Sequence, residues 1–206
     1  MVHISDGVPL DPLLIMGGWV VTVAILLYAL SKMETEDVPK LSVITAAVFV
    51  ASLIHIQFGP TSVHFVLNGF AGVMLGILAF PCIFVALVLQ CFLFSFGGVA
   101  MIGINTINMG VPALIAYLIF KTGTGLNIRP ETRKRASLFA AIAGGLGVVL
   151  ALLLLAAELI TIGDVFLETT IAVVTVHLPI IAIEAIFTGV LAGFIATVKP
   201  EMFGKK

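Results

Sequence analysis

Charged residues are scarce in this 206-residue sequence, at 10% of the chain against roughly 25% in a soluble globular domain. Hydrophobic residues make up 61%, and the mean hydropathy is +1.25. Such a chain cannot hide its apolar surface in one water-soluble core, so the composition indicates an integral membrane protein. The net charge of −1 argues against nucleic acid as a partner.

Several motifs of catalysis and energy conversion are absent. The sequence has no Gly-x-x-x-x-Gly-Lys-Ser/Thr loop for nucleotide phosphates and no His-Glu-x-x-His motif of zinc hydrolases. An intramembrane metalloenzyme is therefore disfavoured. A passive channel is disfavoured as well, because the ionisable groups are grouped rather than spread along a path through the membrane. The two cysteines, Cys82 and Cys91, lie in apolar stretches and are predicted to be buried small side chains.

Long apolar runs are plentiful, and about 20 residues suffice to cross a ~30 Å hydrocarbon core. We expect an all-α membrane protein of one domain, with an N-terminal segment 1–12, a seven-helix bundle over 13–198 and a tail 199–206. A tight Ala79-Phe80-Pro81 turn is expected between two short spans, the third and the fourth. The seven predicted transmembrane spans are 13–31, 41–58, 64–80, 82–96, 100–120, 136–161 and 178–198.

Positive charge is confined to three parts of the chain. The ten Lys and Arg residues are Lys32, Lys40, Lys121, Arg129, Arg133, Lys134, Arg135, Lys199, Lys205 and Lys206. With seven spans, these residues all fall on one side, which the positive-inside rule makes cytoplasmic. The N-terminus is then expected outside, on the same face as His64.

Histidine is also rare, with four residues in the chain: His3, His55, His64 and His177. His3 places an imidazole beside the α-amine and the first peptide nitrogens. Such nitrogen donors can surround a divalent transition metal, and a planar nitrogen set is typical of nickel(II) or copper(II). The sequence therefore predicts metal capture at a membrane face.

Five segments, in order along the chain, resemble the nickel/cobalt substrate-capture (S) components of energy-coupling-factor transporters, the CbiM/NikM type. The segments are the N-terminal His-Ile-Ser-Asp-Gly at 3–7, Gly-Pro-Thr-Ser-Val-His at 59–64, Leu-Gln-Cys-Phe-Leu-Phe-Ser-Phe-Gly-Gly at 89–98, Gly-Ile-Asn-Thr-Ile-Asn-Met at 103–109, and His177-Leu178-Pro179 with Glu184. The resemblance implies a seven-helix bundle whose N-terminus tucks into an outward-facing pocket.

The same resemblance implies a function and partners. It implies capture of nickel, or of cobalt, at the outer face of a prokaryotic cell membrane, for ATP-driven uptake. The implied partners are a transmembrane coupling (T) subunit, cytoplasmic ATPase subunits and a small accessory membrane subunit. The chain itself is not expected to be an enzyme, since ATP hydrolysis belongs to the partners.

The metal ligands that the resemblance implies are the N-terminal amine, a backbone amide and the imidazoles of His3 and His64. Val2 departs from the family pattern, in which the histidine is the second residue. If Met1 is removed, Val2 supplies the amine, His3 becomes the second residue and His64 is the fourth nitrogen donor. If Met1 stays, the segment Met1–His3 already provides four nitrogens, and His64 is axial or displaced.

Further polar residues are expected to line the pocket or to orient the ligands. They are His55, Ser62, Gln90, Asn105 and Asn108. For Gln90, Asn105 and Asn108, hydrogen bonding between helices is an equally supported alternative. His177 and Glu184 lie two helical turns apart and are expected to form a buried polar pair.

Overall fold

The computed structural model describes residues 4–58, 61–125, 128–163 and 166–203, apart from the side chains at 55–58 and 61–63. The described part contains seven α-helices and one pair of strands. The helices are α1 Pro12–Leu30, α2 Val38–Leu53, α3 Asn68–Leu75, α4 Ala79–Phe94, α5 Ile102–Thr124, α6 Arg133–Ile162 and α7 Leu167–Val198, and the strands are β1 His55–Phe58 and β2 Thr61–His64. The helical membrane class predicted from composition is confirmed.

Five apolar helical segments are long enough to cross a membrane. They are Pro12–Leu30, Asn68–Phe94, Ile102–Thr124, Pro130–Ile162 and Leu167–Val198. The second of them contains both α3 and α4, and α2 has only 16 residues. Seven crossings and the side on which each terminus lies therefore stay predictions.

The predicted third span is much shorter than expected. Helix α3 has 8 residues and spans about 12 Å at 1.5 Å per residue. It runs in the direction of α5, because Gly72 lies against Ala113 and Gly76 against Tyr117. The chain then reverses at Gly76, which adopts φ 60° and ψ −128°, a conformation that residues with a side chain rarely take.

The turn expected at Ala79-Phe80-Pro81 is therefore wrong, since these residues form the first turn of α4. Proline is tolerated there, because the first N–H groups of a helix have no partner within it.

The predicted second span, 41–58, extends five residues beyond the C-terminal end of helix α2. Helix α2 stops at Leu53, and the chain continues in β1, which pairs with β2 as an antiparallel hairpin. In this pairing His55 stands opposite His64 and Gln57 opposite Ser62. The sequence between the strands contains Gly59 and Pro60, which favour turns and interrupt helices. The helix predicted over 41–58 is therefore wrong beyond Leu53, where the backbone continues as a paired strand.

Helices α6 and α7, of 30 and 32 residues, pack antiparallel, since Gly144 lies against Thr188 and Gly193 against Ser137. A Cβ atom at Gly144 would lie 2.7 Å from Thr188 Oγ1 and 2.9 Å from the Glu184 carbonyl oxygen. Further along the pair, Ser137 Oγ donates to the Gly189 carbonyl oxygen at 2.8 Å. Small residues thus allow close backbone approach, as is common between membrane helices. This contact fixes the level of Glu184 in the bundle.

The described basic residues lie together at one end of the bundle, here named the basic end. Lys32, Lys40, Lys121 and Lys199 line a single recess there. Arg135 Nε donates to the carbonyl oxygen of Gly123, at the end of α5. The opposite end holds segment 4–10, the strand pair and the loop 95–101, and is here named the site end.

Candidate metal centre

The N-terminal segment inserts into the bundle at Ile4, which is 2% exposed. The backbone N–H of Ile4 donates to Asn105 Oδ1 at 2.7 Å, and Asn105 Nδ2 donates to the Ile4 carbonyl oxygen at 2.8 Å. Asn105 is itself 2% exposed. One side-chain amide on α5 thus satisfies both backbone groups of the residue that follows His3.

The loop between α4 and α5 holds the next part of the segment. The backbone N–H of Asp6 donates to the Gly97 carbonyl oxygen at 2.7 Å. The carboxyl group of Asp6 lies where a side chain at Gly98 would be, since a Cβ there would come 1.9 Å from Asp6 Cγ. Gly98 also adopts φ +141°. The Gly97-Gly98 pair therefore leaves the space into which the N-terminal segment fits.

His64 lies at the end of β2 and is 3% exposed. Its Nδ1 is 2.7 Å from the carbonyl oxygen of Phe65. A carbonyl oxygen only accepts, so Nδ1 carries the proton and Nε2 carries the lone pair in the neutral ring. A ligating histidine commonly donates its other N–H to a backbone carbonyl in this way, and the predicted role of His64 fits this tautomer.

Two helices hold the chain just after His64. The backbone N–H groups of Val66 and Leu67 both donate to the carboxyl group of Glu184 on α7, the second at 2.9 Å. Asn68 Nδ2 donates to the Gly147 carbonyl oxygen of α6 at 2.9 Å. The sequence analysis paired Glu184 with His177 and missed this contact. The sequence signal that singled out Glu184 was its place in the segment His177-Leu178-Pro179…Glu184.

Two predicted pocket residues, Gln90 and Asn108, bond to side chains of other helices. Gln90 Nε2 donates to Ser52 Oγ at 2.8 Å, which joins α4 to α2. Asn108 Nδ2 donates to Glu158 Oε2 at 2.6 Å, which joins α5 to α6. These are the interhelical contacts that the alternative interpretation expects, so any role of Gln90 and Asn108 toward a metal stays a prediction.

His177 is fully buried on α7, two turns before Glu184. Its Nδ1 is 2.7 Å from the Val173 carbonyl oxygen, and Nε2 has no hydrogen-bond partner among the described residues. No bond joins His177 to Glu184 in the described part of the chain, since Glu184 is engaged with Val66 and Leu67. The two residues share a helix face without forming the expected pair.

The remaining predicted ligands lie beyond what the structure describes. Met1, Val2 and His3 are outside the described residues, as are the side chains of His55 and Ser62. Among the described residues, no three His, Cys, Asp or Glu side chains lie close enough together to hold a metal ion. A carboxylate or cysteine site is therefore not available there, and the predicted nitrogen site depends on residues 1–3 together with His64.

Known proteins resemble this chain over nearly its whole length. A metal transport protein of Haemophilus influenzae is 32% identical over 98% of this chain and 97% of its own. A fused nickel transport protein NikMN of Archaeoglobus fulgidus is 30% identical over 99% of this chain and 68% of its own. The crystal structure of a transition metal transporter matches with a TM-score of 0.79 and 25% identity, covering 97% of this chain and 94% of that one.

The family model for the cobalt uptake substrate-specific transmembrane region matches residues 3–202. This range begins at His3 and takes in every segment that carried the resemblance seen in the sequence. The chain therefore belongs to the CbiM family, and it is an integral membrane protein of that family.

Proposed function

We propose that this protein captures a divalent transition metal, nickel or cobalt, at the outer face of a prokaryotic cell membrane. It then serves as the substrate-binding (S) subunit of an energy-coupling-factor transporter. The observation that carries the proposal is the docking of Ile4 by Asn105 in the bundle interior. Burying Ile4 fixes the backbone next to the predicted ligands, and a chelate made from the adjoining residues requires such a fixed position.

The metal is the substrate of this protein, and its ligands are backbone and imidazole nitrogens. Val2 or Met1 supplies the α-amine, the first peptide groups supply amide nitrogens, and His3 and His64 supply imidazoles. A near-planar nitrogen field favours nickel(II) over cobalt on geometry. The buried His64, with its Nδ1 proton on Phe65, offers Nε2 as donor.

Energy for uptake is proposed to come from partner subunits. This sequence has no phosphate-binding loop, whereas the fused relative carries further chain beyond the part that aligns here. We therefore infer a transmembrane coupling subunit, ATPase subunits on the cytoplasmic side and a small accessory membrane subunit. The basic end is the surface that the positive-inside rule would turn toward the ATPases.

Calorimetric titration of the purified chain in detergent tests this function, with a native N-terminus and any tag placed after Lys206. We expect one nickel per chain, bound more tightly than cobalt, and at least ~100-fold weaker binding in His64→Ala if Met1 is removed, since losing a donor from a closed site costs a few kcal/mol. Mass spectrometry of the same sample decides which amine is present. Full affinity in His64→Ala would mean that the N-terminal segment alone holds the metal.

The pH dependence of binding separates nitrogen ligands from carboxylates. Imidazole and α-amine nitrogens titrate near ~6.5 and ~7.7–8.0 and bind metal only when deprotonated, so uptake releases protons. Nickel affinity should therefore decrease from pH 7 to about pH 5, with more than one proton released per metal. Titrations in two buffers of different ionisation enthalpy count these protons, and a count near zero at pH 7 would contradict nitrogen ligation.

A further inference from the structure

Helix α7 carries a carboxyl group that bonds to two consecutive backbone amides. Glu184 is fully buried, and its Oε1 and Oε2 atoms accept from the N–H groups of Val66 and Leu67. Both amides belong to the short connection between β2 and α3, two and three residues after His64. A single side chain therefore fixes the backbone direction at the point where the chain leaves the predicted ligand.

The connection has a conformation that needs such a partner. Leu67 adopts φ 50° and ψ 16°, in the left-handed region that residues with a bulky side chain rarely occupy. Its amide has no helical partner, because α3 begins only at Asn68. Asn68 then bonds to the Gly147 carbonyl oxygen. The left-handed residue thus lies between an anchor on α7 and an anchor on α6.

We propose that Glu184 is a positioning residue for the metal site, holding the Val66–Leu67 turn so that the His64 imidazole faces the N-terminal segment. This inference rests on the proposed function, because it takes His64 as a metal ligand. Glu184 does not contact the metal in this proposal. Glu184 acts through the backbone instead, from the amides of Val66 and Leu67 through Phe65 to His64, whose ring Nδ1 bonds to the Phe65 carbonyl oxygen.

Replacement of Glu184 by glutamine is the sharpest test, because the shape is kept while one acceptor oxygen becomes an NH₂ group that cannot accept. Groups that orient a metal ligand typically change metal affinity by about 10-fold to 100-fold when altered. We expect Glu184→Gln to weaken nickel binding within that range in calorimetry. X-ray absorption at saturating nickel should show one imidazole fewer, or a more disordered one, around the metal.

A mutant cycle with His64 shows whether Glu184 acts through that residue. In the His64→Ala background, Glu184→Gln should cause no further loss of nickel affinity, because residues that act through one contact are not additive. An equal loss in both backgrounds would overturn the proposal. If His64→Ala binds too weakly to measure, the absorption spectrum decides, and an unchanged imidazole count in Glu184→Gln overturns it.

Thr188→Val provides the matched control on the same buried face of α7, one turn further along. The Thr188 hydroxyl has no hydrogen-bond partner among the described residues, so its removal should leave nickel affinity within about twofold. Should Glu184→Gln fail to fold, Glu184→Asp keeps both acceptors but is one methylene shorter, and a similar loss is expected. Normal affinity in a folded Glu184 variant overturns this inference alone, whereas no nickel or cobalt binding by the unaltered chain overturns the proposed function as well.

Discussion

Two polar side chains at the site end, Asn105 and His64, are buried and bonded to backbone, whereas the basic side chains at the opposite end are mostly exposed. At the site end Asn105 and His64 are 2% and 3% exposed, and both bond to main-chain atoms of loops or of the N-terminal segment. At the basic end Lys32 and Lys121 lie over the rings of Tyr28 and Tyr117 with their ammonium groups 5.7 and 5.4 Å from the ring centroids.

The difference between the two ends follows from what each polar group has to do. A buried polar side chain is costly unless its hydrogen bonds are made, so it is kept where it fixes a geometry. An exposed lysine near a membrane surface keeps its hydration, so it costs little free energy, and its charge helps to set the orientation of the protein in the membrane. We therefore expect changes at the site end to alter metal affinity, and changes at the basic end to alter stability or partner binding instead.

The largest effect is expected from adding a peptide in front of Met1. Such an extension converts the α-amine into an amide and adds bulk three residues before Ile4, which is buried in the bundle. Nickel binding should fall by at least ~100-fold, since a ligand is lost from a chelate. The same peptide placed after Lys206 is the control and should leave calorimetric titrations unchanged. Normal nickel binding by the N-terminally extended chain would refute ligation by the amine.

A smaller loss is expected from Asn105→Ala, which removes both hydrogen bonds to Ile4. The segment can then still dock, but the buried N–H and carbonyl groups of Ile4 lose their partners, and nickel affinity should fall by about 10-fold to 100-fold. Thr22→Val is the matched control, since it removes a bond of 2.7 Å from Thr22 Oγ1 to the Gly103 carbonyl oxygen between α1 and α5. An equal loss of affinity in both variants would mean that packing of α5, rather than the docking of Ile4, is responsible.

Sequence patterns predicted the site end and the basic end unequally. The grouping of the positive charges could be predicted because lysine and arginine occur in the loops between apolar runs, and the described basic residues do lie at one end of the bundle. The burial of Asn105 could also be predicted, because Asn105 is a polar residue inside an apolar run. Its bond to Ile4 could not be predicted, because a contact over 101 residues leaves no local signal.

Local conformation was the harder part to predict from sequence. The apolar run at 64–80 has the composition of a span, yet Gly76 reverses the chain after a helix of 8 residues. Hydropathy does not distinguish a buried half-helix from a complete crossing, since both lie among apolar neighbours. The role of Glu184 was hidden for a related reason, since its partners are backbone amides, which every residue offers.

Gly98→Ala should have a moderate effect on metal binding. Its Cβ would lie 1.9 Å from Asp6 Cγ, and the residue would have to hold φ +141°. In this variant the N-terminal segment must move away from the new Cβ before it can bind metal. If that movement costs about 1 kcal/mol, nickel binding becomes roughly fivefold weaker. Gly163→Ala is the control, because Gly163 has φ +123° but nothing within 4 Å of its missing Cβ. If both variants weaken nickel binding equally, backbone strain and not the contact with Asp6 explains the effect.

The smallest effect on affinity is expected at the basic end, from Lys40→Met. Lys40 Nζ donates to the Met202 carbonyl oxygen at 2.6 Å and so ties α2 to the turn at Pro200–Phe203. Because this pair is only partly buried, its loss should cost about 1 kcal/mol and lower the melting temperature by about 2–4 °C. Lys32→Met is the control, because Lys32 is exposed and does not make this bond; it should lower the melting temperature less than Lys40→Met does.

Nickel affinity in Lys40→Met should stay within about twofold of the unaltered chain, because no contact of Lys40 reaches the site end in the described residues. Calorimetry in detergent measures the affinity, and thermal unfolding of the metal-free protein measures the stability. A loss of affinity of about tenfold or more would break the separation between the two ends. It would imply that tilting α2 at its beginning moves the strand pair at its end, and with it His64, so that a partner bound at the basic end could loosen the metal.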